Sequence, residues 1–223
     1  MARAFSRRGA FIVLEGGDRC GKSTHSRSLV ARLRGEGAAV ERMHFPDRST
    51  RIGATIDAYL TGGCELDDAA VHLLFASNRW EARKTLLGHL AAGTSVVCDR
   101  YAFSGVAFSA AKPRAALSVE WCKAADAGLP APDLIVCLDL DVADAASRQS
   151  FGEERYERET MQQRVRDVFR TEFEPTVPGW HTLDAARPME DVHADVYGLA
   201  AAEVDRQRCD ATATALGALW EGN

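Results

Sequence analysis

The stretch Phe11-Ile12-Val13-Leu14-Glu15-Gly16-Gly17-Asp18-Arg19-Cys20-Gly21-Lys22-Ser23-Thr24 decides the fold. A short apolar run, Phe11 to Leu14, passes into the pattern G-x-x-x-x-G-K-[ST]. The glycines are needed because the backbone must turn with positive φ and bring successive N–H groups around a di- or triphosphate. Lys22 is then expected to bridge the β- and γ-phosphates, and the Ser23 hydroxyl to sit on Mg²⁺. The run upstream reads as a buried strand. From Thr24 onward, Leu29, Val30 and Leu33 recur at helical spacing, so the phosphates would rest at a helix N-terminus.

Composition bounds what such a loop can serve. A chain of 223 residues with 46% hydrophobic content fits one domain with a substantial core. Its net charge of -5 argues against a general nucleic-acid or anionic-membrane surface, so anions must be met by local clusters of Arg and Lys. The six cysteines (Cys20, Cys64, Cys98, Cys122, Cys137, Cys209) form no C-x-x-C pair and have no His at metal spacing. They read as reduced thiols in the cytoplasm or a similar compartment. Met1 to Arg8 carries three Arg and no acid, a weak organelle-targeting pattern. No secretory signal is expected, and no stretch approaches the length of a membrane span.

Downstream, apolar β-branched runs alternate with helical patterns, which predicts an α/β fold with a parallel sheet covered on both faces. The strands are expected at Phe11 to Leu14, Ala38 to Phe45, Thr94 to Cys98, Leu134 to Leu138 and Trp180 to Leu183. Helices are expected over Ser23 to Arg34, Arg51 to Leu60, Asp67 to Leu90 with a bend or end at Gly88, Ala143 to Ser150, Thr160 to Phe173 and Glu190 to Arg206. A helical stretch from Phe103 to Lys123 should break around Pro113. Leu216, Leu219 and Trp220 point to an ordered segment near the C-terminus.

In an open parallel sheet, ligands lie beyond the carboxyl ends of the strands. The first strand ends in the phosphate loop, the second in Pro46-Asp47-Arg48, the third in Asp99-Arg100-Tyr101 and the fourth near Asp139 and Asp141. Charge therefore recurs on one rim. The loop already has Lys22 and Arg19 for one polyphosphate, so Arg48 and Arg100 imply a second anionic substrate. Guanidinium groups hold a monophosphate in register through paired planar donors. Taken singly, Arg48 also fits a surface arginine and Arg100 a strand-end ion pair with Asp99.

Phe75 and Arg79 are four apart on the longest helix and share a face. A ring that stacks on a planar base, with an arginine one turn later donating to a carbonyl, suits a pyrimidine. The same spacing suits a core phenylalanine and a solvated arginine. His72 reads as structural.

The sequence resembles the thymidylate kinases, in particular the eukaryotic and poxviral type. The matching stretches are Gly16 to Thr24, Phe45-Pro46-Asp47-Arg48-Ser49-Thr50, His72 to Glu81, Asp99 to Phe108, Gly128 to Asp133 and Phe151 to Glu157. The resemblance implies a P-loop NTPase-type, doubly wound parallel five-stranded sheet in one domain over 1–223, with a short lid at about 148–159. It also implies transfer of the ATP γ-phosphoryl group to dTMP, Mg²⁺ as cofactor, and a homodimer.

The resemblance also implies roles for single residues. Gly16, Gly17, Asp18, Arg19, Cys20, Gly21, Lys22, Ser23 and Thr24 would bind ATP, with Arg148 at the lid's edge and Arg187 near the adenine. Arg48 and Arg100 would bind the acceptor phosphate, Phe75 would stack on thymine, and Arg79 would donate to its O4. Asp18 would meet the sugar 3′-hydroxyl, and Phe45, Ser104 and Gly105 would line the acceptor site. Phe108 would lie against the sugar and exclude ribose. Arg19 is the expected catalytic arginine, with Arg155 and Tyr156 on the lid. Asp99 would hold the hydrated Mg²⁺ with Ser23, or orient Arg100. His25 stands where relatives often have Gln.

Three rivals share parts of the pattern, of which a catalytically silent nucleotide-binding protein would be expected to have lost Lys22, Arg19 or the lid, and all are retained. A regulatory GTPase needs Asn-Lys-x-Asp, and the only asparagines are Asn78 and Asn223. A deoxynucleoside kinase needs a carboxylate base after the second strand, where Asp47 stands beside Arg48.

Overall fold

A computed structural model of the chain describes residues 8–112, 117–148, 152–209 and 216–220. Five strands, β1 (Phe11–Gly16), β2 (Val40–His44), β3 (Ser95–Asp99), β4 (Leu134–Asp139) and β5 (Trp180–Asp184), form one sheet in the order β2-β3-β1-β4-β5. All four pairings are parallel. The helices are α1 (Lys22–Gly35), α2 (Arg51–Leu60), α3 (Asp68–Ala91), α4 (Ala102–Ala110), α5 (Val119–Ala124), α6 (Val142–Ala146), α7 (Glu159–Val168) and α8 (Met189–Cys209).

The sheet is covered on both faces because the pleat sends successive side chains to opposite sides. Phe11, Val13, Val96, Cys98, Ile135 and Cys137 face one way and pack with Leu86, Leu90, Phe103, Val106 and Val165. Ile12, Leu14, Val97, Val136 and Leu138 face the other and meet Leu29, Val30 and Leu33 of α1 and Val192, Val196, Ala200 and Val204 of α8. Because β1 lies between β3 and β4, the strand order reverses at its carboxyl end. That crevice is where the phosphate loop begins.

Several boundaries differ from the expectation. Helix α3 runs through Gly88 to Ala91, because Leu86 and Leu90 are buried on either side. A glycine inside a helix costs only about 1 kcal/mol, which that packing outweighs. The segment after α7 does not stay α-helical. It continues as a π-helical turn, Phe169–Phe173, whose two rings both lie against Trp180. The helical pattern around Pro113 divides into α4 and α5, and Ser118 caps α5 by accepting from the Trp121 N–H at 3.1 Å. Helix α6 covers Val142–Ala146 and is shorter than the pattern suggests. Met1, Pro113, Arg114, Ser150 and Phe151 lie outside the described residues. Near the C-terminus, Gly128 donates to Leu219 O and Leu219 to Leu129 O, while Trp220 stacks against Phe173.

Candidate active site

At the first turn of the loop, Gly16 has φ +136°, and a Cβ there would stand 2.4 Å from Leu138 O, so only glycine fits. Gly21, also left-handed, caps α1 without any side-chain hydrogen bond, and the first turn of α1 carries no acid. The orphaned N–H groups and the positive end of the helix dipole are therefore left for an anion. Lys22 is buried, yet among the described residues its ammonium meets only the Gly17 carbonyl and, at 3.2 Å, the Cys20 sulfur. A buried ammonium without a carboxylate is costly unless another anion arrives, and a phosphate supplies one. Ser23 and Thr24 lie exposed at the start of α1.

Arg19 and Arg100 are both held with positive φ, 61° and 65°. For a residue other than glycine this conformation costs about 1 kcal/mol or more, and such strain clusters at functional sites. Arg19 ion-pairs with Glu157 of the lid at 2.7 Å. Arg148 donates to the Arg19 carbonyl at 2.6 Å, which places it beside the loop. Although burial alone would raise the Glu157 carboxyl, Arg19 and the lid's own N–H groups hold it below the usual range. Its second oxygen accepts from Gly152, Glu153 and Glu154 at 3.0, 3.0 and 3.2 Å, so this one side chain folds the lid and ties it to the loop.

Across β1, a cavity of about 120 Å³ collects Asp18, Phe45, Arg48, Phe75, Arg79, Arg100, Ser104, Gly105, Phe108 and Tyr156. Arg100 donates to the Gly16 carbonyl at 3.0 Å, to Ser104 Oγ at 3.1 Å and to the Asp18 carboxylate. Its guanidinium lies 5.1 Å from the Phe108 ring. Asp18 thus faces this cavity from inside the loop. Arg48 is exposed and divides its donors between Asp57 on α2 and Glu154 on the lid, both at 2.7 Å. Phe75 lines the cavity, half-buried, from α3.

Arg79 is neither a solvated end nor loosely placed. It is 2% exposed and makes a two-pronged bond to fully buried Asp126, Nε at 2.9 Å and Nη2 at 2.7 Å. A Cβ on Gly105 would stand 2.5 Å from Arg79 Nη2, so the glycine leaves room for a guanidinium that Asp126 prevents from yielding. His72, fully buried, bonds Ser109 and the Cys122 carbonyl and is structural.

Two expected groups, the catalytic Arg155 of the lid and the adenine-side Arg187, stand apart from the loop. Arg155 bonds Glu65 at 2.6 Å and the carbonyls of Tyr59 and Cys64, with its guanidinium 4.3 Å from the Tyr59 ring. Arg187 pairs with Asp195 of α8 at 2.6 Å. At the expected metal position, the Ser23 hydroxyl donates to Asp99 Oδ2 at 2.6 Å, and Arg42 donates to the same oxygen at 2.8 Å. A hydroxyl and a carboxylate in contact suit Mg²⁺, which takes few protein ligands and leaves the rest to phosphate and water. Among the described residues no group of three or more His, Cys, Asp or Glu gathers at one point.

The model of the family described as thymidylate kinase matches residues 14–196. A thymidylate kinase of Homo sapiens is 45% identical over 216 residues, covering 97% of this chain and 99% of its own. One of Danio rerio is 48% identical over 193 residues, covering 86% and 90%. The chain belongs to the thymidylate kinase family. Its fold is that of a P-loop kinase, and thymidylate kinases phosphorylate dTMP to dTDP. A solved thymidylate kinase of Candida albicans superposes with a TM-score of 0.84 at 30% identity, covering 95% of this chain and 98% of that one.

Several residues of this thymidylate kinase site are not legible as site residues in the sequence. Gln162 accepts from the Asp18 N–H at 2.7 Å and donates to the Asp18 carboxylate at 2.6 Å and to the Tyr156 carbonyl. Glu15, fully buried, accepts from the N–H groups of Tyr101 and Ser104 and from the Ser104 hydroxyl, closing the start of α4 from a neighbouring strand. Burial raises its carboxyl above the ordinary value, against those bonds. Asn78 clasps Asp47 by its N–H and carbonyl. A carboxylate ending an apolar strand is the one available signal, and it marks Glu15. Nothing in spacing marks Asp126 or Gln162.

Proposed function

We propose that this chain uses ATP as donor and dTMP as acceptor in a single domain, forming ADP and dTDP for dTTP synthesis. The reading rests chiefly on one observation. The acceptor cavity has a base-reading end at Phe75 and Arg79 and an anion-reading end at Arg48 and Arg100, and it reaches the phosphate loop through Asp18.

Transfer of a phosphoryl group proceeds through a loose transition state, so alignment and charge neutralisation do most of the work. In this reading the N–H groups of Gly16 to Thr24 and the Lys22 ammonium hold the donor phosphates, and Arg148 lies against their far side. Arg19 exchanges Glu157 for the transferring group, and Arg100 and Arg48 hold the acceptor phosphate. No strong base is required, because the acceptor oxygen is already anionic. That disfavours the deoxynucleoside kinase reading, and Asp47 supports the same choice: it is engaged with the N–H and hydroxyl of Ser49. Ser23 and Asp99 would hold Mg²⁺, whose chemistry is to neutralise the phosphate oxygens. Arg155 would swing from Glu65 to the phosphates, and Arg187 from Asp195 toward the adenine.

A homodimer is supported by α3, where Leu73 and Trp80, two turns apart, are 48% and 38% exposed beside Trp121 of α5 at 40%. Large apolar side chains gathered on one face mark a protein contact. All six cysteines are free thiols, and no helix among the described residues is long and apolar enough to cross a membrane. The free thiols support a reducing compartment such as the cytoplasm.

The test is ADP release from ATP with and without dTMP. The reading predicts release that depends on dTMP. Release at the same rate without it contradicts the reading.

A further inference from the structure

We propose that the base of the lid carries a second anion site, for a small molecule bearing two or three phosphates. It lies against the acceptor cavity and is separate from the phosphate loop. Its wall is built by Tyr59 of α2, Asp68 of α3, Lys112 after α4, Arg155 and Arg158 of the lid, and Arg164 of α7. The cavity measures about 240 Å³, twice the acceptor cavity, and Tyr156 lines both.

Four cations face one carboxylate on this wall, and their present partners leave them available in different degrees. Lys112 is buried, bonds Asp68 at 2.8 Å, and has its ammonium 5.4 Å from the Tyr59 ring and 5.4 Å from the Tyr156 ring. That is a fixed, desolvated charge at the cavity floor. Arg155 pairs with Glu65, whose side chain is 80% exposed. An exposed pair of that kind is weakened by solvent screening, so an incoming anion displaces it readily. Arg158 and Arg164 lie exposed at the rim and make no side-chain hydrogen bond or ion pair among the described residues. Helix α7 starts here with no side-chain cap, so its first N–H groups add a partial positive charge beside Thr160. Cations spread around the rim match several phosphate groups better than one, and guanidinium groups are the natural partners of phosphate. Inorganic polyphosphates and nucleoside polyphosphates share that chemistry.

Occupation has a consequence for catalysis. A bound polyphosphate holds Arg155 at the base of the lid, away from the reacting phosphates, and so inhibits transfer. This consequence rests on the role proposed above for Arg155, whereas the binding site does not.

Calorimetry with inorganic triphosphate tests the site, at fixed free Mg²⁺, on enzyme saturated with dTMP and a non-hydrolysable ATP analogue. One equivalent should bind the wild-type chain. Arg158→Ala combined with Arg164→Ala should weaken that binding by about 10-fold or more, through loss of two charge-assisted contacts, with turnover in the absence of triphosphate unchanged. Triphosphate should also inhibit the wild-type enzyme without competing with dTMP, and inhibit the double variant far less. A titration with dTTP identifies the source. Equal affinity assigns the site to phosphates alone, and tighter binding places the base on the tyrosine rings; either supports the site. No binding once the substrates fill the active site, or equal binding by the double variant, overturns it. Binding without inhibition overturns the Arg155 consequence while leaving both the second site and the thymidylate kinase reading intact.

Discussion

The two ends of the cavity assigned above to the acceptor are built differently. At the base end, Arg79 is sealed against Asp126 at 2% and 0% side-chain exposure. At the other end, Arg48 is 39% exposed and is shared between Asp57 and Glu154, and in the neighbouring phosphate loop Arg19 rests on Glu157. A buried arginine with one carboxylate keeps a fixed orientation, since leaving that partner would strand two charges. Exposed pairs exchange at little cost. On the proposed function, recognition of the base would therefore be fixed before binding. Arg48 and Arg19 instead rest on carboxylates of the lid and α2, which substrate phosphates would replace on the same reading. Closure would thereby be linked to occupancy, which would protect ATP from water.

The largest effect that sharpens this contrast is on rate. Arg19→Ala should lower kcat by about 10²-fold to 10⁴-fold with dTMP affinity nearly intact, because its interaction grows only in the transition state. Glu157 keeps its three backbone donors, so the lid should stay folded. Normal kcat in steady-state assays would move that role to Arg148 or Arg155. Next comes Asp126→Ala, which strands a buried guanidinium and should cost about 3 to 5 kcal/mol in urea unfolding. A loss below about 1 kcal/mol would break the claim that the base end is rigid.

A third effect lies on the donor side, where His25 of α1 contacts His193 of α8 and stands near Arg148. Burial, then His193 and Arg148, lower its pKa from 6.5 to about 4. Its neutral form is thus favoured in the fold, and the stability it contributes is present above pH 6.5 and lost as pH falls toward 4. Over that window the wild-type chain should lose about 2 to 3 kcal/mol more than His25→Gln. Equal losses in urea titrations at both pH values would remove His25 from the account. The smallest effect is Glu154→Gln, which frees Arg48 and should lower the KM for dTMP by about 2-fold to 5-fold, within the range of an exposed pair. A raised KM would show that Glu154 aids binding.

The sheet was legible in the sequence because β1 is apolar from Phe11 to Leu14 and the loop pattern fixes a helix directly after it. The residues of the acceptor cavity were legible through the family motifs, and all ten share one wall. The carboxylates that hold them were not. Asp126 pairs with Arg79 across 47 positions and Glu157 with Arg19 across 138, distances at which no periodicity operates. Asp139 and Asp141 illustrate the converse. Charge at the end of the fourth strand suggests a site, yet both bind Arg166, and Asp141 also caps α6. A strand-end acid looks the same in sequence whether it faces a ligand or an arginine.

The most direct measurement is a crystal structure of the chain with dTMP and an ATP analogue. The account predicts that Arg79 keeps both bonds to Asp126 while Arg48 leaves Glu154 and Arg19 leaves Glu157 for phosphate oxygens. Arg79 released from Asp126, or Arg48 and Arg19 unmoved with both ligands bound, would contradict it.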